Sequence, residues 1–172
     1  MEHVILVDSN DRVMGEMEKL KAHQSGTLHR AFSVFLFNES NELLLQQRSL
    51  TKYHSAGLWT NTCCSHPRMG ENTMDAAKRR LLEEMGIECE LEFAFSFIYK
   101  AELENGLIEH ELDHVFTGLY TDAPNFDPNE VGDWKYDSIE HIKSDLRLSP
   151  ELFTAWFRLA FEKVCLLNRK ET

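Results

Sequence analysis

Residues 65–87 read SHPRMGENTMDAAKRRLLEEMGI, and the second half of this stretch has the pattern of a helix with two unlike faces. The apolar residues recur at spacings of three and four, which predicts a core-facing helix over residues 73–85: Met74, Ala77, Leu81 and Met85. Thr73 can cap the start of this helix, and Gly86 stands where a helix commonly ends. We therefore expect this helix to pack on the core of the fold.

The opposite face of the same helix is charged and consists of Arg79, Arg80, Glu83 and Glu84. Taken alone, it favours a solvated surface supported by pairs such as Arg80–Glu84. However, the pattern Ser65-x5-Glu71-x7-Arg79-Arg80-Leu81-x-Glu83-Glu84-x-Gly86-Ile87 resembles the Nudix box, a loop–helix–loop that binds metal and diphosphate. The usual box begins with Gly and has Glu after the first Arg, where this chain has Ser65 and Arg80. The resemblance implies a Nudix fold whose chemistry differs from standard diphosphate hydrolysis.

Strand patterns surround this helix. Residues 31–37 (AFSVFLF) and 42–48 (ELLLQQR) flank a turn signal and predict a hairpin, and residues 90–101 alternate with the period of a strand. Asn105-Gly106 then predicts a second hairpin with residues 107–120. Residues 138–147 read as a short helix, and Ser149-Pro150 predicts the start of a final helix that ends near Asn168. The predicted fold class is a Nudix-like α/β/α sandwich with a mixed, largely antiparallel sheet.

The overall composition indicates an acidic globular protein. The 172 residues contain 42% hydrophobic and 27% charged residues without repeats or long linkers, which predicts one domain over residues 1–172. No apolar run approaches the roughly 20 residues of a membrane span, the N-terminal stretch lacks a signal-peptide pattern, and the four cysteines lack disulfide-framework spacing. We expect a cytoplasmic protein that is not bound to a membrane.

The net charge is -11, which argues against nucleic acid as a partner. An anionic ligand would need a local cluster of cations together with a metal.

We expect a monomer or a weak dimer.

Several side chains are candidates for a metal site. Glu109 and Glu111 lie two apart on a predicted strand, so both carboxylates point to one face and suit a hard divalent cation. His23 and His29 flank the turn HQSGTLH, and His66 follows the cysteines; imidazoles extend the choice of metal to Zn²⁺. The remaining histidines stay unassigned, since a lone histidine is more often structural: His3, His54, His110, His114 and His141.

Two adjacent cysteines stand in residues 61–68, NTCCSHPR. The stretch is compatible with a metal site, a redox pair or a reactive thiol beside a metal ligand. Adjacent cysteines rarely bridge, and without a second C-x2-C the spacing is poor for a zinc finger. A buried inert thiol is the default interpretation, and we expect Cys63 to pack. Near a metal and basic residues, however, a thiol can exchange protons near neutral pH.

Three separated segments resemble type I isopentenyl-diphosphate isomerase: HQSGTLH at 23–29, TNTCCSHPR at 60–68 and GLIEHEL at 106–112. The resemblance covers residues 2–134 in unchanged order and continues more loosely to the end. It implies an enzyme with a Nudix-type fold and divalent metal. Such an enzyme interconverts isopentenyl and dimethylallyl diphosphate by a 1,3-proton shift through a tertiary carbocation.

The resemblance also assigns roles to residues. It implies one Mn²⁺, Mg²⁺ or Zn²⁺ in a site of three imidazoles and two carboxylates: His23, His29, His66, Glu109 and Glu111. A second ion, Mg²⁺ bound with the diphosphate, would be joined by Glu84. The implied catalytic residues are Cys64, Glu111 and Tyr99. The implied diphosphate-binding residues are Lys19, Arg48, Lys52, Ser65 and Arg80.

Cys64 and Glu111 on opposite sides of the substrate would perform the proton shift, with Glu111 as the implied donor, tuned by Tyr99. Tyr99 lies opposite Glu111 only if the Asn105-Gly106 turn is a three-residue loop or a bulge interrupts the strand, and we predict one of these. The chain departs from the family where a tryptophan is usual after the last Ser-Pro, which leaves Trp156, Phe153 and Trp59 as aromatic candidates.

Two other functions remain open. A Nudix hydrolase of a nucleoside diphosphate derivative would release phosphate and would have no special need for Cys64. A non-enzymatic metal-binding or redox protein would need the cysteines as ligands or as a redox pair, which their spacing does not favour.

Overall fold

A computed structural model of the protein describes residues 2–168. Its strands have the following bounds: β1 His3–Val7, β2 Val13–Glu18, β3 His29–Phe37, β4 Glu42–Arg48, β5 Trp59–Thr60, β6 Cys63–Ser65, β7 Glu92–Glu102, β8 Ile108–Leu119 and β9 Val131–Ser138. Its α-helices have the following bounds: α1 Lys19–Ser25, α2 Thr73–Met85, α3 Ile139–Leu148 and α4 Ala155–Asn168. Within residues 2–168, none of these helices has the length and apolarity needed to cross a membrane.

All nine strands form one mixed sheet around β3. β3 and β8 pair in parallel from His29↔Glu111 to Phe37↔Leu119. The other pairs among the described strands are antiparallel. β6 pairs with β3 through Ser33↔Cys64. Because the central residues of β3 pair with both β6 and β8, these two strands lie on opposite sides of β3.

The two faces of the sheet enter separate apolar clusters. Phe35 of β3 packs with Phe157 of α4 on one face, in a cluster that also includes α3 residues. Val34 packs with Leu81 and Met85 of α2 on the other face. Helices thus cover both faces of a largely antiparallel sheet, which confirms the predicted fold class.

Helix α2 has the predicted bounds, but its cap differs from the prediction. Asn72, and not Thr73, is the N-cap, and its side chain accepts a hydrogen bond from the amide of Met74 at 2.9 Å. Gly86 ends the helix with a φ of 65°. A side chain there would place Cβ 2.2 Å from the carbonyl oxygen of Asn125, so this position requires glycine.

Two predictions outside α2 need correction. The β3–β4 turn exists, but the strands pair only at Phe37↔Leu43, and β4 continues beside β9 and β5. The final helix does not begin at Pro150, which starts one 3-10 turn. Phe153 is extended and bridges to Trp59, and Thr154 donates its amide to the carbonyl of Trp59 at 3.0 Å. These contacts with β5 outweigh the local helix signal, so α4 begins at Ala155.

Candidate active site

One pocket brings together most of the residues that the sequence singled out. Ten of the predicted metal-binding, catalytic and diphosphate-binding residues line its wall: Lys19, Arg48, Lys52, Arg80, Cys64, Ser65, His66, Glu84, Glu109 and Glu111. His23, His29 and Tyr99 are buried and contact residues of this wall. The pocket therefore combines the predicted metal ligands, cations and proton-transfer groups.

Three imidazoles from different elements meet beside this pocket. His23 lies near the end of α1, where Gly26 closes the helix with a φ of 63° and allows the chain to turn toward His29 at the start of β3. The centroid of the His29 ring lies 5.1 Å from the centroid of the His23 ring and 5.1 Å from that of the His66 ring. Ligand atoms of the three histidines and of Glu111 all lie within 4.8 Å of one another.

Backbone carbonyls orient two of these rings. His23 donates Nδ1–H to the carbonyl of Lys19 at 2.7 Å, and His29 donates Nδ1–H to the carbonyl of Thr27 at 2.8 Å. These bonds leave both Nε2 lone pairs facing the carboxylates, and metal-binding histidines usually donate their other ring N–H to a carbonyl or a carboxylate in this way.

The Nε2 atoms are buried without hydrogen-bond partners in the described part of the chain. That of His23 lies 3.3 Å from Oε2 of Glu109, and that of His29 lies 3.4 Å from Oε1 of Glu111. An imidazole lone pair that faces a carboxylate oxygen is one hydrogen-bond acceptor facing another, and this arrangement is unfavourable unless a cation lies between the two atoms. This donor set therefore fits a divalent metal ion.

The β7–β8 hairpin places Tyr99 against Glu111. Its loop has three residues, Glu104–Gly106, with Asn105 at a φ of 61° and Gly106 at a φ of 71°. The resulting register sets Tyr99 directly opposite Glu111, which confirms the predicted loop. Tyr99 donates its hydroxyl to Oε2 of Glu111 at 2.6 Å, whereas Oε1 faces the histidines.

The two carboxyls of this strand differ in ionisation. Burial favours the neutral form of both, but the adjacent imidazoles of His29 and His66 outweigh it at Glu111 and hold its pKa well below the ordinary value. Burial and the charge of Glu111 instead raise the pKa of Glu109 well above the ordinary value.

The adjacent cysteines face opposite sides of the sheet. Cys63 is fully buried in the cluster beneath α2, as expected, whereas Cys64 lines the pocket. Burial raises the pKa of the Cys64 thiol to about 12, although the charge of Arg48 acts in the opposite direction. In the protein without metal, burial therefore outweighs the charge of Arg48 at this thiol.

Three of the four cations of the pocket are paired with carboxylates, and within residues 2–168 the fourth, Arg48, is not. Lys19 lies 3.1 Å from Glu2, and Lys52 donates to Glu130. The Arg80 guanidinium contacts three carboxylates, as follows: Glu83 at 2.7 Å, Glu84 at 2.6 Å and Glu130 at 3.5 Å. The side chain of Arg48 lies over the Trp156 ring at 5.3 Å from its centroid.

Glu84 lies apart from the imidazole cluster. It accepts hydrogen bonds from Arg80 at 2.6 Å and from Gln46 at 3.2 Å. It belongs to none of the potential ligand groups found among residues 2–168. Its place in the pocket is compatible with a second ion distinct from the one between the histidines.

Comparisons with known proteins identify the family. A family model described as the NUDIX domain matches residues 27–157. Isopentenyl-diphosphate Delta-isomerase of Pectobacterium atrosepticum is 52% identical over 164 residues, which cover 95% of this chain and 92% of that protein. The protein of the same name from Serratia proteamaculans is 50% identical over 156 residues, covering 91% of this chain and 87% of that protein. The chain belongs to the isopentenyl-diphosphate Delta-isomerase family.

Solved structures show the same fold at low identity. A Deinococcus radiodurans protein has a TM-score of 0.72 at 19% identity, with 86% of this chain and 90% of that chain covered. A MutT protein from Methanosarcina mazei has a TM-score of 0.66 at 22% identity, with 82% and 95% covered. The match to the isomerase family and the Nudix fold confirm the resemblance found in the sequence. The protein is therefore an enzyme of the isomerase family.

Only one of the three aromatic candidates lines the pocket of this isomerase-family protein. Trp156 forms part of the wall, beside Arg48 and His54. Phe153 instead packs in the core against Phe157, with ring centroids 5.6 Å apart, and Trp59 packs on the same cluster under Lys135. Of the three candidates, Phe153 and Trp59 therefore do not line this pocket.

Three residues of this isomerase-family site were missed from the sequence. His54 is buried beside Glu109, and Glu130 contacts Lys52 and Arg80, but both stand in loops without periodicity. Asp113 is buried and accepts a hydrogen bond from Ser33 at 2.7 Å. Its spacing of two from Glu111 was a signal that could have placed it on the same face.

Proposed function

We propose that this protein interconverts isopentenyl and dimethylallyl diphosphate by protonation and deprotonation of the substrate. The observation that carries this proposal is the meeting of Cys64 and Glu111 in one pocket that is also lined by cations. Cys64 on β6 and Glu111 on β8 approach from opposite sides of β3. A small substrate bound between them would have one proton-transfer group on each side.

The proton shift is a balanced exchange. The forward reaction starts with Glu111 protonated and Cys64 as the thiolate, which is the reverse of the distribution that burial and the imidazoles favour in the site without metal. The Glu111 carboxyl gives its proton to the terminal alkene carbon of isopentenyl diphosphate and becomes a carboxylate, and a tertiary cation is left. The sulfur of Cys64 then takes a proton from the carbon nearer the diphosphate, and the double bond forms at its new position. The reverse reaction exchanges the two roles, so the substrate neither gains nor loses a proton overall.

Neighbouring side chains support these two groups. Tyr99 holds Oε2 of Glu111 with a 2.6 Å hydrogen bond, which orients the carboxyl toward the reacting carbon. The indole of Trp156 lines the pocket, and an aromatic face stabilises a nearby cation and excludes water. Exclusion of water matters because water would trap the cation as an alcohol.

The residues that would hold the metal are the predicted imidazoles and carboxylates: His23, His29, His66, Glu109 and Glu111. A bound divalent ion supplies positive charge that stabilises two buried carboxylates side by side and tunes the acidity of the carboxyl. The unpartnered Nε2 atoms described above support this assignment. Glu84 would serve the ion that accompanies the diphosphate.

The diphosphate would bind at the cationic side of the pocket. Lys19, Arg48, Lys52 and Arg80 all line it, together with Ser65. Charged hydrogen bonds from these side chains supply the local positive charge that a protein with a net charge of -11 needs for an anionic substrate.

No disulfide joins the cysteines of residues 2–168, which supports a reducing compartment such as the cytoplasm.

The adjacent cysteines allow a matched test. The protein is incubated with isopentenyl diphosphate and Mg²⁺, and the acid-labile allylic product and inorganic phosphate are both measured. We expect allylic product without phosphate, loss of product in Cys64→Ala, and near-normal activity in Cys63→Ala, whose thiol faces α2. Phosphate release would favour the hydrolase alternative, and an active Cys64→Ala variant would remove that thiol from the mechanism.

A further inference from the structure

A second cavity adjoins the cationic side of the pocket and is here called the outer cavity. Its wall shares several residues with the wall of the pocket, among them the cations Lys19, Lys52 and Arg80. Arg68, in the loop between β6 and α2, lines the outer cavity but not the pocket. We propose that the outer cavity is the route by which the diphosphate reaches the pocket, and that Arg68 is a further substrate-binding residue that captures the diphosphate on this route.

The order of side chains along the two cavities supports such a route. Cys64, Glu111 and Trp156 line the pocket but not the outer cavity, whereas the shared cations border both. A substrate with its hydrocarbon end beside Cys64 and Glu111 would have its diphosphate at the shared cations. The outer cavity would then lie on the far side of the diphosphate, which suits a substrate that enters with its hydrocarbon end first.

Arg68 differs from the shared cations in its charge balance. Each of the shared cations contacts a carboxylate, as described above, whereas Arg68 forms no ion pair within residues 2–168. Glu71 stands in the same loop, but it is already paired with Arg79, whose guanidinium donates to it at 2.7 and 3.0 Å. The positive charge of Arg68 is therefore available to an approaching anion.

The loop fixes the position of Arg68 although the residue is exposed. The amide of Arg68 donates to Oε2 of Glu71 at 2.8 Å, and its carbonyl accepts from the amide of Glu71 at 2.9 Å. Pro67 precedes it and restricts the backbone further. These bonds hold the backbone of Arg68 in one turn, so its guanidinium stays at the wall of the outer cavity.

The outer cavity is positively charged in an acidic protein. Its wall holds five cations and three carboxylates, in a chain with a net charge of -11: Lys19, Lys52, Arg68, Arg79 and Arg80, with Glu2, Glu16 and Glu130. A local positive field of this kind raises the association rate of an anion that the rest of the surface repels. An exposed cation without a carboxylate partner contributes most directly to that field.

The test compares Arg68→Gln with the wild type, with Arg68→Lys and with Arg147→Gln. Arg147→Gln is the matched control, because Arg147 is an exposed arginine on α3 that lines neither cavity. The affinity for inorganic diphosphate with Mg²⁺ is measured by calorimetry at low and high salt. The values of kcat and kcat/KM with isopentenyl diphosphate are measured under the same conditions.

We expect Arg68→Gln to lower kcat/KM and the affinity for inorganic diphosphate by about fivefold at low salt, with little change in kcat and a smaller loss at high salt. Arg68→Lys, which keeps the charge, should stay within about twofold of the wild type, and Arg147→Gln should match the wild type.

The proposal would be overturned if Arg68→Gln and Arg147→Gln behaved alike, or if the loss in Arg68→Gln did not depend on salt. A fall in kcat with unchanged affinity would overturn it as well. The inference takes its substrate from the proposed function, but the binding of inorganic diphosphate does not depend on isomerisation. If this binding responds as expected and no allylic product forms, only the proposed reaction is refuted.

Discussion

The metal side and the cationic side of the pocket are built differently. The five predicted ligands of the metal side are each exposed by 9% or less: His23, His29, His66, Glu109 and Glu111. On the cationic side, the side chains of Lys19, Lys52 and Arg80 keep 22%, 24% and 21% of their surface exposed. These cations are also paired with carboxylates, whereas the buried imidazole nitrogens face acceptors.

This difference determines how each side tolerates change. A buried lone pair or charge that loses its partner suffers a large desolvation cost, so the metal side should respond strongly to a single substitution. Partly exposed ion pairs are screened by water and salt, so the cationic side should respond in smaller and salt-dependent steps.

The largest effect is expected from Glu111→Gln on the metal side. This variant loses the acidic proton and a charged donor to the metal, so the rate of allylic product formation should fall by about 10³- to 10⁴-fold. Glu92→Gln, which neutralises an exposed carboxylate on β7, is the control for loss of one charge. A Glu111→Gln variant within tenfold of wild type would show that this carboxyl does not transfer the proton.

Tyr99→Phe should have a smaller effect on the same side. It removes one hydrogen bond to a charged group, and bonds of this kind are worth about 1.5–3 kcal/mol, so kcat should fall by about 10- to 100-fold. KM should stay nearly constant because Tyr99 is buried away from the cations. A raised KM with normal kcat would instead assign Tyr99 to substrate binding.

Lys52→Met tests the cationic side. Loss of one charged contact to the diphosphate should raise KM by about tenfold with little change in kcat. The ratio of the variant KM to the wild-type KM should shrink as the salt concentration rises, because screening weakens the contact that Lys52 makes with the diphosphate in the wild type. A ratio independent of salt would show that Lys52 acts through packing and not through charge.

Glu130→Gln should have the smallest effect and a distinct pH dependence. Burial acts to raise the pKa of Glu130, but the bond to Lys52 and the charge of Arg80 outweigh it and lower the pKa below 4.5. The pairing therefore stabilises the fold above about pH 4.5, and this stabilisation is lost as the pH falls through the folded pKa.

In the Glu130→Gln variant, the free energy of unfolding near pH 7 should fall by about 1 kcal/mol or less. Below the folded pKa of Glu130 the difference from wild type should disappear, as measured by urea unfolding at several pH values. A difference that persists at the lowest pH would mean that the glutamine perturbs packing rather than charge.

Local sequence patterns were sufficient to predict the structure of several parts of the protein. Helix α2 has the predicted bounds because its apolar period and Gly86 are local signals. Glu109 and Glu111 share a face because strand alternation is local too. The roles of Cys64, Tyr99 and the cations came from resemblance to a family, and they remain predictions for the experiments above.

Other parts escaped sequence reasoning for identifiable reasons. The final helix begins later than Pro150 because Phe153 is held by Trp59, a contact that the local signal cannot contain. His54 and Glu130 stand in loops, where no period indicates the direction of a side chain.

The sequence by itself determined the helix of the Nudix-like box, the alternation of the strands and the family to which the chain belongs. Only the tertiary structure decided that His66 reaches Glu111, 45 residues away, that Cys63 and Cys64 face opposite sides, and that His54 lies beside Glu109. The physical reason is strand register. The pairing of β3 with β6 and β8 sets which distant side chains meet, and that pairing depends on the packing of the whole sheet.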